Sequence, residues 1–362
     1  MAATSHKKIC VHIATKKQFR AIQNPRFDQL NPLFYFYCMK QWVQKYTGIL
    51  RNLRISYWLY NISNLGKLKR NKLHYKELGV QKAVWQSLSH ADIKKSSDDI
   101  PWMDKQGVTR EAIKQHANFQ QFTTVVQEQF LNWSEKGYLI IPQFFADKID
   151  AINAEIDRLK EGNKVDFNFT GRKIMDAWQH SEIINAVFRD EKLLQIFEFI
   201  FQKKPIPFQT INFVYGSEQR PHSDSIHMTT EPLGYLSAVW IALEDIKENS
   251  GELIYYPGSH KLNYIMSEDY NTGNNALLIG EHNYDNYEDK IDAIIKQHHF
   301  KPQYFHAKKG DILIWHANLL HGGSPIHNPS LTRKSMVAHY YANGVLCYHE
   351  ISQRPAVIKT PK

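Results

Sequence analysis

Arg220-Pro-His222-Ser-Asp224 lies in the stretch whose reading decides the fold, residues 207–256. Upstream of Pro207 the apolar residues recur at helical spacing. Beyond it they fall into short runs punctuated by glycine, proline and polar turns. Strands are expected near 208–215, 219–227, 235–243, 251–256, 302–307, 310–316 and 334–343. Before them, Gly137-Tyr-Leu-Ile-Ile-Pro142 reads as a short buried strand. Asp147 is expected to cap a helix carrying Ile149, Ile152, Ile156 and Leu159 on one face, and a second helix is expected over Glu182 to Phe201. A few helices followed by many short strands predict an α+β chain built on a β-sandwich or barrel. The polar stretch 261–300 interrupts the strands and reads as a lid or substrate loop.

The flanks differ in character. The chain has 362 residues, 43% of them hydrophobic, enough to fill a core. Its net charge of +9 is unevenly spread: residues 1–82 hold 16 Lys/Arg against Asp28 and Glu77, a net of +14. Within this segment Met39, Trp42, Val43, Tyr46, Ile49, Leu50 and Leu53 form one helical stripe. Residues 94–102 read as a linker, so a basic, aromatic helical extension (1–117) is expected to precede a catalytic domain (118–350) and a tail (351–362). A basic amphipathic helix with Trp and Tyr either packs on the catalytic core with its lysines solvated or lies on an anionic membrane surface through residues 1–82. Nucleic acid is unlikely as a partner, for the segment carries no RNP-like or zinc-knuckle motif. Three cysteines, none in CxxC spacing, argue against a disulfide scaffold or structural zinc. No apolar run approaches a bilayer span and no secretory leader is evident, so a cytoplasmic, reducing setting is expected.

The chemistry centres on His222 and Asp224. On a strand, residues i and i+2 share a face, which would set an imidazole beside a carboxylate. Two histidines and one carboxylate, with open positions opposite, form the facial triad that holds redox-active iron(II). With 18 histidines, some His-x-acid triplets arise by chance. His90-Ala-Asp92 and His180-Ser-Glu182 are two, but both sit at expected helix starts, where i and i+2 diverge by about 200° and cannot chelate together.

Downstream of that triplet come Gly251-Glu-Leu-Ile-Tyr-Tyr-Pro-Gly-Ser-His-Lys261, Gly310-Asp-Ile-Leu-Ile-Trp-His-Ala-Asn-Leu-Leu-His321-Gly-Gly-Ser-Pro325 and Arg333-Lys-Ser-Met-Val-Ala-His-Tyr340. This ordered set, from about 118 to 345, resembles the phytanoyl-CoA dioxygenase family of Fe(II)/2-oxoglutarate oxygenases. The resemblance implies a double-stranded β-helix (jelly-roll, cupin-like) core flanked by helices. It implies His222, Asp224 and His321 as iron ligands, in preference to His316 and His327, and Arg333 as the group that binds the far carboxylate of 2-oxoglutarate. A guanidinium fork matches a carboxylate bidentately, which suits that role. The interval from His321 to Arg333 is one residue longer than is usual in the family, and the position two after the histidine is Gly323, with Ser324 next. A one-residue turn insertion accounts for both and makes Ser324 the corresponding hydroxyl. Gln209, Thr210 and Asn212, on the strand before the triplet, are further candidates for 2-oxoglutarate contacts. His227 and Trp240 are candidates to meet substrate, Trp240 also reading as core.

The activity implied is iron-dependent oxidation with 2-oxoglutarate and O2 as co-substrates, hydroxylating an aliphatic C–H of a small-molecule substrate. Related halogenases resemble this pattern but replace the carboxylate with a small residue; here Asp224 is present. The competing readings are a non-catalytic binding protein on an oxygenase scaffold, and a membrane-surface oxygenase acting on a lipid- or saccharide-linked substrate. Neither the substrate nor the oligomeric state is legible in the sequence.

Overall fold

The computed structural model describes residues 50–95, 97–168 and 170–358. The chain divides into two compact units, 1–48 and 49–362, and every described residue belongs to the second. The expected break near residue 118 therefore gives way to one at residue 48/49. The reason is apolar packing: Leu68, Tyr75, Leu78 and Leu88 share a buried cluster with Leu346 and Tyr348. Most of the expected helix over Met39 to Leu53 lies outside the described residues. Its last residue, Leu53, makes an antiparallel bridge to Leu278.

Ten helices are found among the described residues: α1 (Arg54–Ser63), α2 (Leu65–Leu68), α3 (Asn71–Glu77), α4 (Arg110–Gln115), α5 (Thr124–Phe130), α6 (Trp133–Lys136), α7 (Ile149–Glu161), α8 (Glu182–Phe188), α9 (Glu191–Phe201) and α10 (Asn283–Gln297). The stripe Ile149, Ile152, Ile156 and Leu159 is buried as its spacing requires. Its helix starts after Lys148, without the side-chain cap expected of Asp147. The helix expected over 182–201 is two helices. Ser181 caps α8, and the Asp190 carboxylate accepts the backbone N–H of Lys192 and Leu193, restarting the chain as α9. The insertion at 261–300 holds α10, which its strand-poor composition had left unassigned.

The strands are β1 (Tyr138–Ile141), β2 (Lys173–Met175), β3 (Pro205–Phe213), β4 (Thr229–Glu231), β5 (Leu236–Ala242), β6 (Leu253–Tyr255), β7 (Gln303–Phe305), β8 (Ile312–His316), β9 (His321–Gly323), β10 (Ser335–Ala342), β11 (Leu346–His349) and β12 (Arg354–Pro355). Six form an antiparallel sheet in the order β1-β8-β5-β10-β3-β2. Two three-stranded sheets, β7-β6-β9 and β12-β11-β4, complete the jelly-roll architecture. The expected tail thus contributes a strand, Tyr348 pairing with Pro355.

Alternation along the large sheet separates two cores. Val239, Ile241, Ile312, Ile314, Met336 and Ala338 face the helices. Ala238, Trp240, Leu313, Trp315 and Val337 face the opposite way, toward Leu253 and Phe305 of the β7-β6-β9 sheet. That second face frames the site.

Candidate metal centre

The strand expected over 219–227 does not form. Pro221 has no N–H to donate to a ladder, and His222 makes one isolated bridge to His321, their backbone N–H and C=O groups exchanging hydrogen bonds at 2.9 Å each way. The chain then turns through a 3₁₀ segment, Asp224–Ile226. The bridge holds the two histidines side by side, and the turn brings the carboxylate to them. Their rings lie 4.6 Å apart. Asp224 Oδ1 is 3.6 Å from His321 Nε2 and 4.0 Å from His222 Nε2. All three side chains are buried, and each offers a ligand atom within 4.8 Å of the others.

The donor set fits a divalent metal. His222 Nδ1 donates to Arg220 C=O and His321 Nδ1 to Leu319 C=O, each at 2.9 Å. A carbonyl can only accept, so the proton of each neutral ring sits on Nδ1 and Nε2 is left unprotonated, that of His222 accepting from Gln219 Nε2 at 3.2 Å. Burial, reinforced by His321 and His227, pushes His222 well below the usual imidazole range; burial also lowers His321. Burial by itself would raise the Asp224 carboxyl, but the imidazoles of His321, His339 and His222 outweigh it and hold the group below the ordinary carboxylate range. Its second oxygen is occupied elsewhere: Trp315 Nε1 donates to Oδ2 at 2.7 Å, and His339 Nε2 lies 3.4 Å from it. Oδ1 is thereby the oxygen turned toward the histidines.

A cavity of about 920 Å³ opens over this trio. His222, Asp224, His321, Arg333, Gln209, His227 and Trp240 all line it. Arg333 is buried, its guanidinium held by Gly251 C=O (3.1 Å) and Ser335 Oγ (2.6 Å) and flanked by the rings of Phe213 (5.1 Å) and Trp240 (5.7 Å). Burial lowers its pKa to about 10, so it stays cationic at neutral pH. Trp240 is a wall of the cavity beneath Arg333 and is fully packed. His227 Nε2 is buried without a hydrogen-bond partner, and its ring lies 5.6 Å from His222 and 5.0 Å from Tyr284.

Three sequence candidates do not reach the cavity. Ile211 and Phe213 line it, so strand alternation turns Thr210 and Asn212 to the helix side, opposite Ala338 and Met336. The Ser324 hydroxyl donates to Glu252 at 2.7 Å instead. Of the rival histidines, His316 pairs with Asp104 at 3.0 Å, and the backbone N–H of His327 bonds Asn249 C=O. Several site residues went unrecognised. Trp315 and His339 were legible by parity, since Arg333, Ser335, Val337 and His339 share one face of the strand. Gln219, which accepts from Lys173 Nζ (2.9 Å) and donates to Tyr284 Oη (2.8 Å) beside His222, carried no local signal.

A neutral His-Asp-His trio in a jelly-roll cavity, with a buried arginine in the same wall, defines the class of iron(II)/2-oxoglutarate oxygenases. The family model for phytanoyl-CoA dioxygenase (PhyH) matches residues 133–335, and the chain belongs to that family. Phytanoyl-CoA dioxygenase domain-containing protein 1 of Danio rerio is 35% identical over 88 residues, 24% of this chain and 25% of that protein. The Caenorhabditis elegans homolog is 27% identical over 158 residues, 41% of this chain and 51% of its own. The chain thus spans a quarter to a half of these relatives' lengths. Among solved structures, the epimerase SnoN in complex with Fe3+, alpha ketoglutarate and nogalamycin RO is 16% identical, with a TM-score of 0.50 over 65% of this chain and 95% of that one. EctD from S. alaskensis with bound Fe is 16% identical, with a TM-score of 0.48 over 68% and 82%. The SnoN likeness bears out the jelly-roll fold. The trio and the cavity beside it fit an iron(II) site with room for 2-oxoglutarate and O2. Among the described residues no helix is long and apolar enough to cross a membrane.

Proposed function

We propose that this oxygenase hydroxylates an aliphatic C–H bond of a small-molecule substrate, with His222, Asp224 and His321 as the iron ligands. The observation that carries the reading is the convergence of these three side chains in one cavity with Arg333. When bound, iron(II) with 2-oxoglutarate and O2 supplies an oxidant able to break such a bond, leaving succinate and CO2. The two histidines contribute neutral Nε2 donors fixed by their backbone acceptors. Asp224 contributes Oδ1 while Trp315 and His339 hold Oδ2. Arg333, cationic and stacked between two rings, receives the far carboxylate of 2-oxoglutarate, and Trp240 and Phe213 keep water from that ion pair. A carboxylate at Asp224 supports hydroxylation over halogenation, because it fills the position a halide would need. Substrate occupies the part of the cavity beside His227, whose unpartnered Nε2 is free to make a hydrogen bond with it.

Anaerobic addition of iron(II) and then 2-oxoglutarate should produce a weak visible charge-transfer band. A metabolite screen should then find compounds that stimulate succinate release and gain one oxygen atom. Asp224→Ala and His321→Ala should each abolish succinate release in a folded protein. Normal turnover by Asp224→Ala would overturn the ligand assignment.

A further inference from the structure

Helix α1 is amphipathic in the inverted sense. Its polar residues face inward: Arg54 and Asn61 are buried, Arg54 Nε donating to Asn275 C=O at 2.7 Å and Asn61 Nδ2 to Trp85 C=O at 2.9 Å. Tyr57 and Trp58 lie half-buried on the same inward side, Trp58 Nε1 donating to Ser87 Oγ at 2.9 Å, while the aliphatic residues face out. Ile55, Leu59 and Ile62, spaced four and three apart on one face, are 55%, 62% and 44% exposed. Leu277 and Leu278 extend this surface from the lid insertion. They meet the start of the helix through the Arg54 N–H to Leu277 C=O bond and the Leu53–Leu278 bridge, and both are exposed. Leu73 on α3 is 61% exposed. An open aliphatic side, opposite one that buries Arg54 and Asn61, departs from the usual arrangement of a helix packed on a soluble core.

The charge around this face selects its occupant. From Arg51 to Lys76 there is no acidic residue, and there are seven Lys/Arg. Lys67, Lys69, Arg70, Lys72 and Lys76 are all exposed. A second copy of the chain would bring the same cations against them. An anionic bilayer complements both features, its acyl boundary taking the leucines and its headgroups the lysines. We propose that the α1–α3 face is a docking surface for anionic phospholipid membranes. Arg51 and the exposed Tyr60 line the cavity that holds the metal trio. A membrane docked here lies at the cavity mouth, where amphiphilic substrates would be delivered from the bilayer surface.

The test is co-sedimentation of the full chain with vesicles of phosphatidylcholine alone or mixed with phosphatidylserine, at low and high salt. Binding is expected to the anionic vesicles, to weaken steeply with salt, and to be poor on neutral ones. Leu59→Glu with Ile62→Glu should weaken it at least about tenfold, and Lys69→Glu with Lys72→Glu should do likewise, since each basic residue adds about 1 kcal/mol. Both doubles change exposed side chains and should keep the iron(II)–2-oxoglutarate band, which separates failure of this proposal from failure of the proposed reaction. No binding by the full chain at low salt, or undiminished binding by the leucine double, overturns it. So does a dimer that the leucine double dissolves, which would make a second copy the occupant.

Discussion

Asp224 makes two kinds of contact with its two oxygens, and the side chains that enforce the division can be tested singly. His339 sits 3.4 Å from Oδ2. We expect His339→Ala to weaken iron(II) affinity by about ten- to a hundredfold, because the carboxylate loses a partner that aims it. Titration with Co(II) under anaerobic conditions reads this directly, and unchanged affinity would leave Trp315 as the sole support. Arg333→Ala should raise the 2-oxoglutarate requirement about ten- to a hundredfold, from loss of a charge-assisted pair of roughly 1.5–3 kcal/mol, with metal affinity little changed. Arg333→Lys should restore only part of it, since an ammonium cannot present the fork. At this scale the sequence was informative where an ordered set of motifs carries the resemblance, as with His222, Asp224, His321 and Arg333. Residues that matter through what they lean on, such as Gln219, are ordinary until folding sets them beside the ligands.

Elements explain the misplacements. On β3, alternation turns Gln209, Ile211 and Phe213 to the cavity and Thr210 and Asn212 away from it, so Gln209 and Thr210 could never both reach one ligand. The bulge that skips Phe208 between the His339–Gln209 and Tyr340–Pro207 pairs is invisible in the sequence. The His222 segment was expected as a strand because its residue types suit one, but a single bridge followed by a tight turn does the same work. The insertion is joined to the ligand loop by one cation and by two tyrosines of α10, Tyr284 Oη accepting from Gln219 Nε2 (2.8 Å) and Tyr287 Oη from the Ser223 N–H (3.0 Å). Arg220 contacts Glu288 (3.5 Å), Asp289 (2.7 Å) and Asp292, all on α10. These carboxylates raise its pKa above the ordinary guanidinium range. The cluster is partly solvated, so each pair is worth only about 0.2–1 kcal/mol. Arg220→Ala should therefore leave the unfolding temperature nearly unchanged while speeding limited proteolysis within α10, and high salt should have the same effect on the wild type. Equal cleavage rates would show that Tyr287 and Ile291, buried in the apolar cluster beneath, hold the helix unaided.

For the molecule as a whole, the buried histidines set the acid limit. Burial lowers His260 and His349 to about 3, His349 helped by Arg354 and Arg51, and also depresses His222, His227 and His321. In the unfolded chain each titrates near 6.5. Below that pH the unfolded state binds the protons that the folded state refuses, so stability falls as pH drops from about 6.5 toward 3. Glu231, Glu288 and Glu350, raised by burial, act in the opposite sense, while the depressed carboxyls of Asp224, Glu218 and Glu252 add to the loss at the acid end. Urea midpoints of the metal-free protein should decline through this window, and a flat profile would contradict the burial of these rings. The α+β class on a β-sandwich or barrel was legible because strand runs and turns alternate so regularly after Pro207, and the jelly roll itself followed from the family resemblance. The extent of the unit was not, because the clusters that bind residues 68–88 to 346–348 are contacts of distant segments, which no local pattern records. Those distant contacts also order events in time. Arg354 lies over the ring of Tyr57 at 5.6 Å, and residues from both ends of the described chain wall one cavity. Translation delivers the three ligands before it delivers the strand at Arg354–Pro355. A nascent chain that has emerged only as far as the ligands therefore has its metal trio uncovered, and the enclosure follows when β12 is added.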